Sequence, residues 1–298
     1  MAWKGVHLTQ PARLSLADNQ IFIKQDAGEI SLPLEDIAWI IVDTPQATFT
    51  SALMSACMDS GVALVFTDTR HTPSGLALPF HRHHRQGGVA RLQADARDGT
   101  KKRLWQAIIR AKILNQAAAL QALGHEEAQT LKEIARHVEP NDPENVEARA
   151  ARFYWGRFFK DFVRDDPSDC RNKLLNYGYA IVRSGIARAL VASGLLPVFG
   201  LKHDGAANAF NLADDMVEPF RPFVDLLVHK TFGHGDKTKD ITLEDRRAMA
   251  GALFLNSRVG DDTVSLLVAT EMAAASLVRA FEHEKAALLE LPKLETPS

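Results

Sequence analysis

The stretch from residue 200 to residue 225 constrains this chain more than any other, and it reads GLKHDGAANAFNLADDMVEPFRPFVD. Its apolar residues recur at steps of three and four, which is the spacing of one helix face. Pro219 and Pro222 cannot both lie inside a regular helix, because each removes a backbone donor and crowds the preceding turn. The sequence therefore predicts a helix that Asn211 caps and that kinks or restarts beside Glu218. The apolar face comprises Leu212, Met216, Phe220, Phe223 and Leu227.

Acidic and imidazole side chains in this stretch suit a divalent cation. Asp215 and Glu218 lie three residues apart, so their carboxylates are neighbours on a helix, and His203 precedes them. Oxygen ligands favour Mg²⁺ or Mn²⁺, and one imidazole shifts the preference towards Mn²⁺. A solvated acidic helix face is the commoner origin of such a pair, since charged residues are mostly exposed. A metal site therefore needs a further ligand from elsewhere in the chain.

Residues 141–155, which read NDPENVEARAARFYW, offer that ligand. Asp142, Pro143 and Glu144 are typical of a helix start, with proline at the first position and acidic residues in the first turn. Glu147 follows in a segment rich in alanine and arginine, and its small residues permit close helix packing. The sequence predicts that Tyr154 and Trp155 pack this helix against the rest of the protein.

These segments resemble the signature blocks of a known family. The blocks are N-x-E-A-x-A-A-x-x-Y-W from residue 145, G-L-x-H from residue 200 and F-N-L-A-D-D-x-x-E-P-F-R-P from residue 210. In order and spacing they resemble the CRISPR spacer-acquisition integrase, in the form found in type II loci. The resemblance covers nearly the whole chain. It implies that Glu147, His203 and Glu218 are the catalytic metal ligands for Mg²⁺ or Mn²⁺, with Asp215 or Asp214 as an assisting acid.

The resemblance also implies an activity. The chain would be a metal-dependent DNA endonuclease and integrase that inserts short foreign-DNA spacers into a CRISPR array, as part of antiviral defence. A 3′-hydroxyl would attack a repeat phosphodiester, with no covalent protein nucleophile. Two alternatives stay open. One is a metal-dependent nuclease that only cleaves branched DNA, and the other is a DNA-binding scaffold with a structural acidic cluster.

The implied partners are DNA and other proteins. They are double-stranded DNA of the prespacer and the repeat, a second copy of the chain in a homodimer, a small CRISPR-associated protein that bridges two dimers, and the RNA-guided nuclease of the same locus.

Two cysteines without a C-x-x-C motif argue against a disulfide framework and against a zinc site. A reducing prokaryotic cytoplasm is the expected location, because no signal segment or membrane-length apolar run is visible. The motifs of P-loop, dinucleotide-binding and α/β-hydrolase proteins are missing from the sequence.

The predicted fold class is α+β, with a small N-terminal β-rich domain followed by a larger all-α catalytic domain. Residues 1–85 read as mainly strand, with a linker at about 69–89, and residues 90–298 read as helix. Two apolar runs, 37–42 and 62–67, predict buried strands, and a helix over 50–61 between them predicts a crossover. The resemblance implies that the N-terminal domain makes the dimer contact. Further helices are predicted at 101–123, 142–164, 170–193 and 262–289.

The formal net charge of −2 is low for a nucleic-acid-binding protein, although local patches rather than net charge set phosphate binding. The run of histidine and arginine at 81–85 has three interpretations, which are a metal site, a phosphate contact and a solvated linker. The cations of the 101–112 helix either face DNA or form an ordinary solvated face. Arg221 either contacts a phosphate or pairs with an acid. The candidate DNA contacts are Arg85, Lys101, Lys102, Arg103, Arg110, Arg149, Arg152 and Arg221.

Overall fold

The computed structural model describes residues 2–80, 83–233 and 235–295. The chain divides into two compact units, Met1–His84 and Arg85–Ser298. Strands dominate the first unit and helices dominate the second. The predicted order, a β-rich region followed by a helical region in a mixed α+β fold, is therefore confirmed.

The first unit contains two four-stranded sheets among its described residues. In one sheet, the order is β1-β5-β7-β8, with the first three strands parallel and β8 antiparallel to β7. In the other, the order is β4-β3-β2-β6, and β6 runs parallel to β2. The strands are β1 Lys4–Leu8, β2 Ala12–Ala17, β3 Gln20–Gln25, β4 Gly28–Pro33, β5 Ile37–Val42, β6 Ala47–Phe49, β7 Ala63–Thr67 and β8 Pro73–Ala77.

Local sequence explains these elements. The β2–β3 turn places Asp18 and Asn19 at positive φ, a conformation that short polar residues tolerate and that matches the twist of a hairpin. Helix α1, Ser51–Ser60, is capped by the Thr50 side chain and ends at Gly61, which adopts the left-handed conformation. The predicted crossover is present, since β5 and β7 pair in parallel. Strand β8 corrects the prediction of a structureless linker from residue 69.

The second unit is built from nine helices among its described residues. It is not all-α, because Gly260 adopts positive φ and turns Asn256–Val259 back onto Asp262–Ser265 as an antiparallel hairpin, β9–β10. The predicted helix over 262–289 is therefore wrong at both ends. The helices are α2 Gln86–Ala94, α3 Asp98–Ala122, α4 Ala128–Arg136, α5 Val146–Phe158, α6 Cys170–Ala192, α7 Asn211–Val217, α8 Arg221–Phe232, α9 Leu243–Ala250 and α10 Leu266–Glu282.

Three other helix starts differ from the prediction. Helix α3 begins at Asp98 rather than at Lys101, so Thr100 lies buried in its first turn. Helix α5 begins at Val146 rather than at Asp142, because the Asp142 carboxylate accepts the free amides of the first turn from outside the helix. Asn211 is the first residue of α7 and not its cap. Helix α9 starts with a capping box, which Thr242 and Asp245 form.

Helix α6 crosses its neighbours closely at glycines. A Cβ atom at Gly178 would lie 2.5 Å from Val224 of α8, and one at Gly185 would lie 2.8 Å from Leu253. Within the described part of the chain, no helix combines the length and the apolar character that crossing a membrane requires.

Candidate metal centre

Glu218 lies at the predicted kink. A short 3-10 helix, Glu218–Phe220, separates α7 from α8, as the two prolines require. The Asn115 side chain of α3 donates hydrogen bonds to the carbonyls of Pro219, at 2.7 Å, and Pro292, at 2.9 Å. Asn115 thus satisfies a carbonyl that the kink frees, and it fixes Glu218 relative to α3. The Glu218 side chain is 8% exposed.

Glu147 lies in the first turn of α5, where the helix dipole favours a negative charge. Asn145 adopts positive φ and accepts a hydrogen bond from the amide of Ala148. Asp142 accepts the amides of Val146 and Glu147, at 2.8 and 3.0 Å. The first turn is therefore held by side-chain caps, and this fixes the backbone from which Glu147 projects.

The ammonium of Lys112 on α3 joins these two carboxylates. Its Nζ atom lies 2.5 Å from Oε1 of Glu147 and 2.5 Å from Oε2 of Glu218. Burial would raise the pKa of Glu218, but the cations of Lys112 and Arg221 outweigh it and lower this pKa. Burial would lower the pKa of Lys112, yet Glu218 and Glu147 raise it. Glu218 and Lys112 are therefore charged at neutral pH, and the carboxylates of Glu147 and Glu218 converge on one cationic point.

Asp215 organises the loop that carries His203. The carboxylate is fully buried and accepts the backbone amides of Leu201, Lys202 and His203. It also lies 2.7 Å from Nδ1 of the His203 ring. Gly200 permits this loop, since a Cβ atom there would lie 2.1 Å from the carbonyl oxygen of His203.

The His203 ring is oriented from two sides. Asp215 binds Nδ1, and Trp105 of α3 meets the ring edge to face, with 6.0 Å between centroids. The hydrogen bond to Asp215 raises the pKa of His203. In a neutral ring whose Nδ1 donates to a carboxylate, Nε2 keeps its lone pair, which is the arrangement found in metal-ligating histidines. His203 also lowers the pKa of Glu218 through its charge, so the two side chains share one electrostatic environment.

Two acids that the sequence offered as assisting ligands have other partners. Both oxygens of Asp215 accept hydrogen bonds from the His203 loop. Asp214 pairs with Arg183 through both oxygens and accepts a hydrogen bond from Asn208. Their contacts are those of supporting groups. Arg221 pairs with an acid, since its Nε atom donates to Oε1 of Glu218 at 2.9 Å.

The chemistry of this donor set fits Mg²⁺ or Mn²⁺, because it combines two hard carboxylates with one imidazole. The arrangement itself is incomplete: across residues 2–80, 83–233 and 235–295, no three His, Cys, Asp or Glu side chains form a group that could hold a metal ion. Two of the three predicted ligands converge, on the ammonium of Lys112. The assignment of Glu147, His203 and Glu218 as ligands stays a prediction.

The second unit also contains a buried acid outside the set of candidate ligands, Asp225. Asp225 of α8 accepts hydrogen bonds from the hydroxyls of Tyr154 and Tyr179, and burial raises its pKa to about 7. Tyr154 therefore packs α5 against α8, as the sequence predicted. Asp225 and Glu218 line the same cavity, which has a volume of about 170 Å³. Its wall comprises Lys112, Gln116, Ala151, Trp155, Arg164, Tyr179, Glu218, Arg221 and Asp225.

The candidate DNA contacts lie mostly at the surface. Lys102, Arg103 and Arg110 are exposed on α3, where Lys101 is half-buried, and Arg149 and Arg152 are exposed on α5. Arg85 is exposed and pairs with Glu282. Arg221 is turned inward onto Glu218. Of the histidine and arginine run, His81 and Arg82 lie outside the described residues.

Sequence reasoning missed the contributions of α3 to this site. It counted Lys112 among the cations of the 101–112 helix that face DNA or solvent, and it gave Asn115 no role in the site. The structure buries Asn115 and Lys112 and leaves Leu114 45% exposed. Two signals pointed to these positions. A buried asparagine needs polar partners, and Lys112 follows Trp105 by two helical turns, on the face that packs inward.

Comparison with known proteins decides the family. Residues 6–258 match the sequence model of the family described as CRISPR associated protein Cas1. The chain belongs to the Cas1 family. It is 34% identical to the CRISPR-associated endonuclease Cas1 of Neisseria meningitidis serogroup C (strain 8013), over 99% of this chain and 97% of that protein. The resemblance seen in the sequence is therefore confirmed.

Solved structures show the same fold. A casposase bound to integration product superposes with a TM-score of 0.77 at 17% identity, covering 96% of this Cas1 chain and 92% of the casposase chain. A chain from a Cas6-RT-Cas1–Cas2 complex superposes with a TM-score of 0.74 at 17% identity, covering 100% of this chain and 36% of that one. At such identities the similarity establishes the Cas1 fold.

Proposed function

We propose that this Cas1 chain is a metal-dependent DNA endonuclease and integrase of CRISPR adaptation. It would join short foreign DNA to an array through attack of 3′-hydroxyl groups on repeat phosphodiesters. The observation that carries the proposal is the convergence of Glu147 and Glu218 on one point. The imidazole of His203, which Asp215 orients, is the third candidate ligand. The name of the Neisseria relative, an endonuclease, and the casposase solved with integration product support it.

Glu147, Glu218 and Nε2 of His203 would hold Mg²⁺ or Mn²⁺. Such an ion supplies Lewis acidity at a phosphoryl oxygen and offsets the charge that develops during transfer. The protein contributes orientation. Asp215 fixes the His203 ring, Asn115 fixes the kink below Glu218, and Arg221 keeps one Glu218 oxygen engaged. No serine or tyrosine is required as a nucleophile in this scheme, and Tyr154 is committed to Asp225.

The proposed partners follow the same family. Exposed cations on α3 and α5 would grip the phosphate backbone of prespacer and repeat DNA, because spacers vary in sequence and cannot be read base by base. A homodimer and a small CRISPR-associated protein that bridges two dimers complete the proposed assembly, with the RNA-guided nuclease of the locus as a further partner. The fold shared with a chain of a Cas6-RT-Cas1–Cas2 complex supports a Cas partner.

Glu218→Ala tests the catalytic assignment. In Mn²⁺, we expect it to reduce strand joining of a short duplex into a repeat-containing plasmid by more than about 100-fold, because a metal ligand is lost. Binding of the duplex should change little, since Glu218 is buried. The matched control is Glu244→Ala, which removes an exposed carboxylate from α9. Joined product at the unmodified rate would contradict the proposal.

The same assay separates the alternatives. A scaffold with a structural acidic cluster predicts that Glu147→Ala leaves every activity unchanged. A nuclease that only cleaves branched DNA predicts cut strands without joined product in the unmodified protein. Sequencing the plasmid junctions distinguishes joining from cleavage directly.

A further inference from the structure

Lys112 stands at the point where the two acidic ligands meet. Its side chain is only 12% exposed, and its Nζ atom is 2.5 Å from an oxygen of each carboxylate. An ion bound by the same two oxygens would have to lie close to this ammonium. The carboxylates would otherwise repel each other, so Lys112 also keeps them together.

The charges around the ammonium are already balanced. Glu147 and Glu218 supply two negative charges, and Lys112 and Arg221 supply two positive charges in contact with them. A divalent cation added to this group would leave two uncompensated positive charges in a site where Glu218 is 8% exposed. Because uncompensated charge is costly in a buried site, the ammonium must give up its contacts when the ion binds.

The adjoining cavity offers a destination. It measures about 170 Å³ and is lined by both Lys112 and Gln116. Gln116 follows Lys112 by four residues, on the same face of α3. Its Oε1 atom is buried and, in the described part of the chain, has no hydrogen-bond partner. An unpaired buried carbonyl is rare and costly, and an ammonium donor would satisfy it. Arg164, another cation of the cavity wall, is held by Asn172 and Asn176.

We propose that Lys112 competes with the divalent cation for Glu147 and Glu218, and that its ammonium moves into the adjoining cavity towards Gln116 when the ion binds. Lys112 is therefore a positioning residue that sets metal affinity. This inference rests on the proposed function, because it takes the two carboxylates as metal ligands. It assigns no DNA contact to Lys112, unlike the exposed cations on the same helix.

Metal affinity without DNA tests the competition. Titration of the full chain with Mn²⁺, with free ion measured by electron paramagnetic resonance, gives a Kd for each variant. Lys112→Met should lower this Kd by about tenfold or more, since it removes a cation in contact with both ligands. Lys112→Gln should lower it in the same direction and provides a second, polar variant. Lys132→Met, a lysine on α4 that binds Gln121, should leave the Kd unchanged.

Gln116→Leu tests the destination. It should raise the Kd several-fold in the natural background, because the displaced ammonium loses its acceptor. In the Lys112→Met background it should have no effect, because no ammonium remains to be displaced. An effect of equal size in both backgrounds, or none in either, would overturn the movement into the cavity.

Thermal unfolding supplies an independent readout. In chelator, Lys112→Met should have a lower Tm than the unmodified protein, because two carboxylates lose their counterion, and Mn²⁺ should raise its Tm by more. An unchanged Mn²⁺ Kd in both Lys112 variants would overturn the competition while leaving the proposed function intact. If the unmodified protein bound no Mn²⁺, or if its Mn²⁺ binding survived the double change Glu147→Gln and Glu218→Gln, the metal assignment and this inference would both be wrong.

Discussion

One buried carboxylate, that of Asp215, supports other parts of the candidate metal centre in this Cas1 chain. Asp215 receives three backbone amides and the His203 ring, so both the loop path and the imidazole orientation depend on it. Asp215→Asn keeps the size of the group but replaces one acceptor oxygen with a donor. We expect strand joining at saturating DNA to fall by about 10- to 100-fold, which is typical for loss of a group that orients a metal ligand.

Duplex affinity measured on the same Asp215→Asn protein should stay unchanged, because the residue is fully buried. Asp214→Asn is the comparison, since Asp214 contacts Arg183 and Asn208 rather than the ring. A smaller loss is expected there. If both variants joined strands as fast as the unmodified protein, the orienting role of Asp215 would be wrong.

Asp225 makes stability depend on pH. Its pKa is raised by burial from 3.8 to about 7 in the folded protein. Below pH 4 the carboxyl is protonated in both the folded and the unfolded state, and its contribution is fully present. As pH rises towards 7, the unfolded state releases the proton first, so stability falls by up to about 1.4 kcal/mol per pH unit. Above pH 7 the loss is complete.

Asp225→Asn should remove this component. Denaturant unfolding at pH 5 and at pH 8 measures it, with the difference between the two values compared across proteins. The variant should lose less stability between these pH values than the unmodified protein. Asp240→Asn provides the control, because this carboxylate is exposed. Equal pH dependence in all three proteins would show that Asp225 titrates at its ordinary pKa.

The candidate ligands belong to sequence motifs, and the residues of α3 that support them do not. Glu147, His203 and Glu218 stand in recognisable blocks, and the two prolines predict the kink beside Glu218. Lys112 and Asn115 stand in no such block, and their roles arise from contacts with residues more than 30 positions away. Residue type alone indicated that Lys112 is an outward cation. Tertiary packing turns its side chain inward, where Lys112 is a counterion of Glu147 and Glu218.

Elements with strong local signals were predicted well. Helix α1 has its cap at Thr50 and its stop at Gly61, and α6 runs from Cys170 to Ala192, within one residue of the prediction. The β9–β10 hairpin was missed because its strands have only four residues each, too few for a periodic pattern. Strand β1 was also missed, since it is defined by its parallel pairing with β5, distant in sequence.

Helix α3 uses two faces for two purposes. Trp105, Lys112 and Asn115 turn inward to the candidate metal centre, whereas Lys102, Arg103 and Arg110 are exposed. Each phosphate contact releases counterions, so log K falls by roughly 0.9 per contact per log unit of salt. Replacing Lys101, Lys102 and Arg103 together by alanine should weaken binding of all duplexes alike and flatten that slope. Fluorescence anisotropy over a salt series measures both quantities.

The triple variant should still join strands once DNA is saturating, because none of the three residues contacts the candidate ligands. Lys24→Ala, an exposed lysine on β3 of the first unit, is the control for general loss of positive charge. Unchanged affinity together with an unchanged salt slope would make this turn of α3 an ordinary solvated face and place the DNA elsewhere.

At the scale of the whole molecule, the two units divide the chemistry from the proposed assembly. The candidate ligands lie in the second unit, and the first unit contributes sheets whose buried strands β5 and β7 are interior. A dimer contact in the first unit, as proposed, would therefore use the outer elements of that unit.

Edge strand β4 is the outer element that best fits a dimer contact. It pairs only with β3 in its sheet, and its residue Ile30 is 58% exposed. An exposed edge strand is a template for pairing, and lysine on such an edge blocks it. Multi-angle light scattering at micromolar concentration should give twice the chain mass of 32.8 kDa. Ile30→Lys should shift the mass towards that of one chain.

Val163→Lys is the matched control for the dimer, because it places the same charge at an apolar residue of the second unit that is 66% exposed. The mass of this variant should remain that of two chains. A measured mass equal to that of one chain for the unmodified protein would contradict the dimer itself. A persistent dimer in Ile30→Lys would instead move the contact to β6, β1 or β8, because these strands form the remaining sheet edges of the first unit.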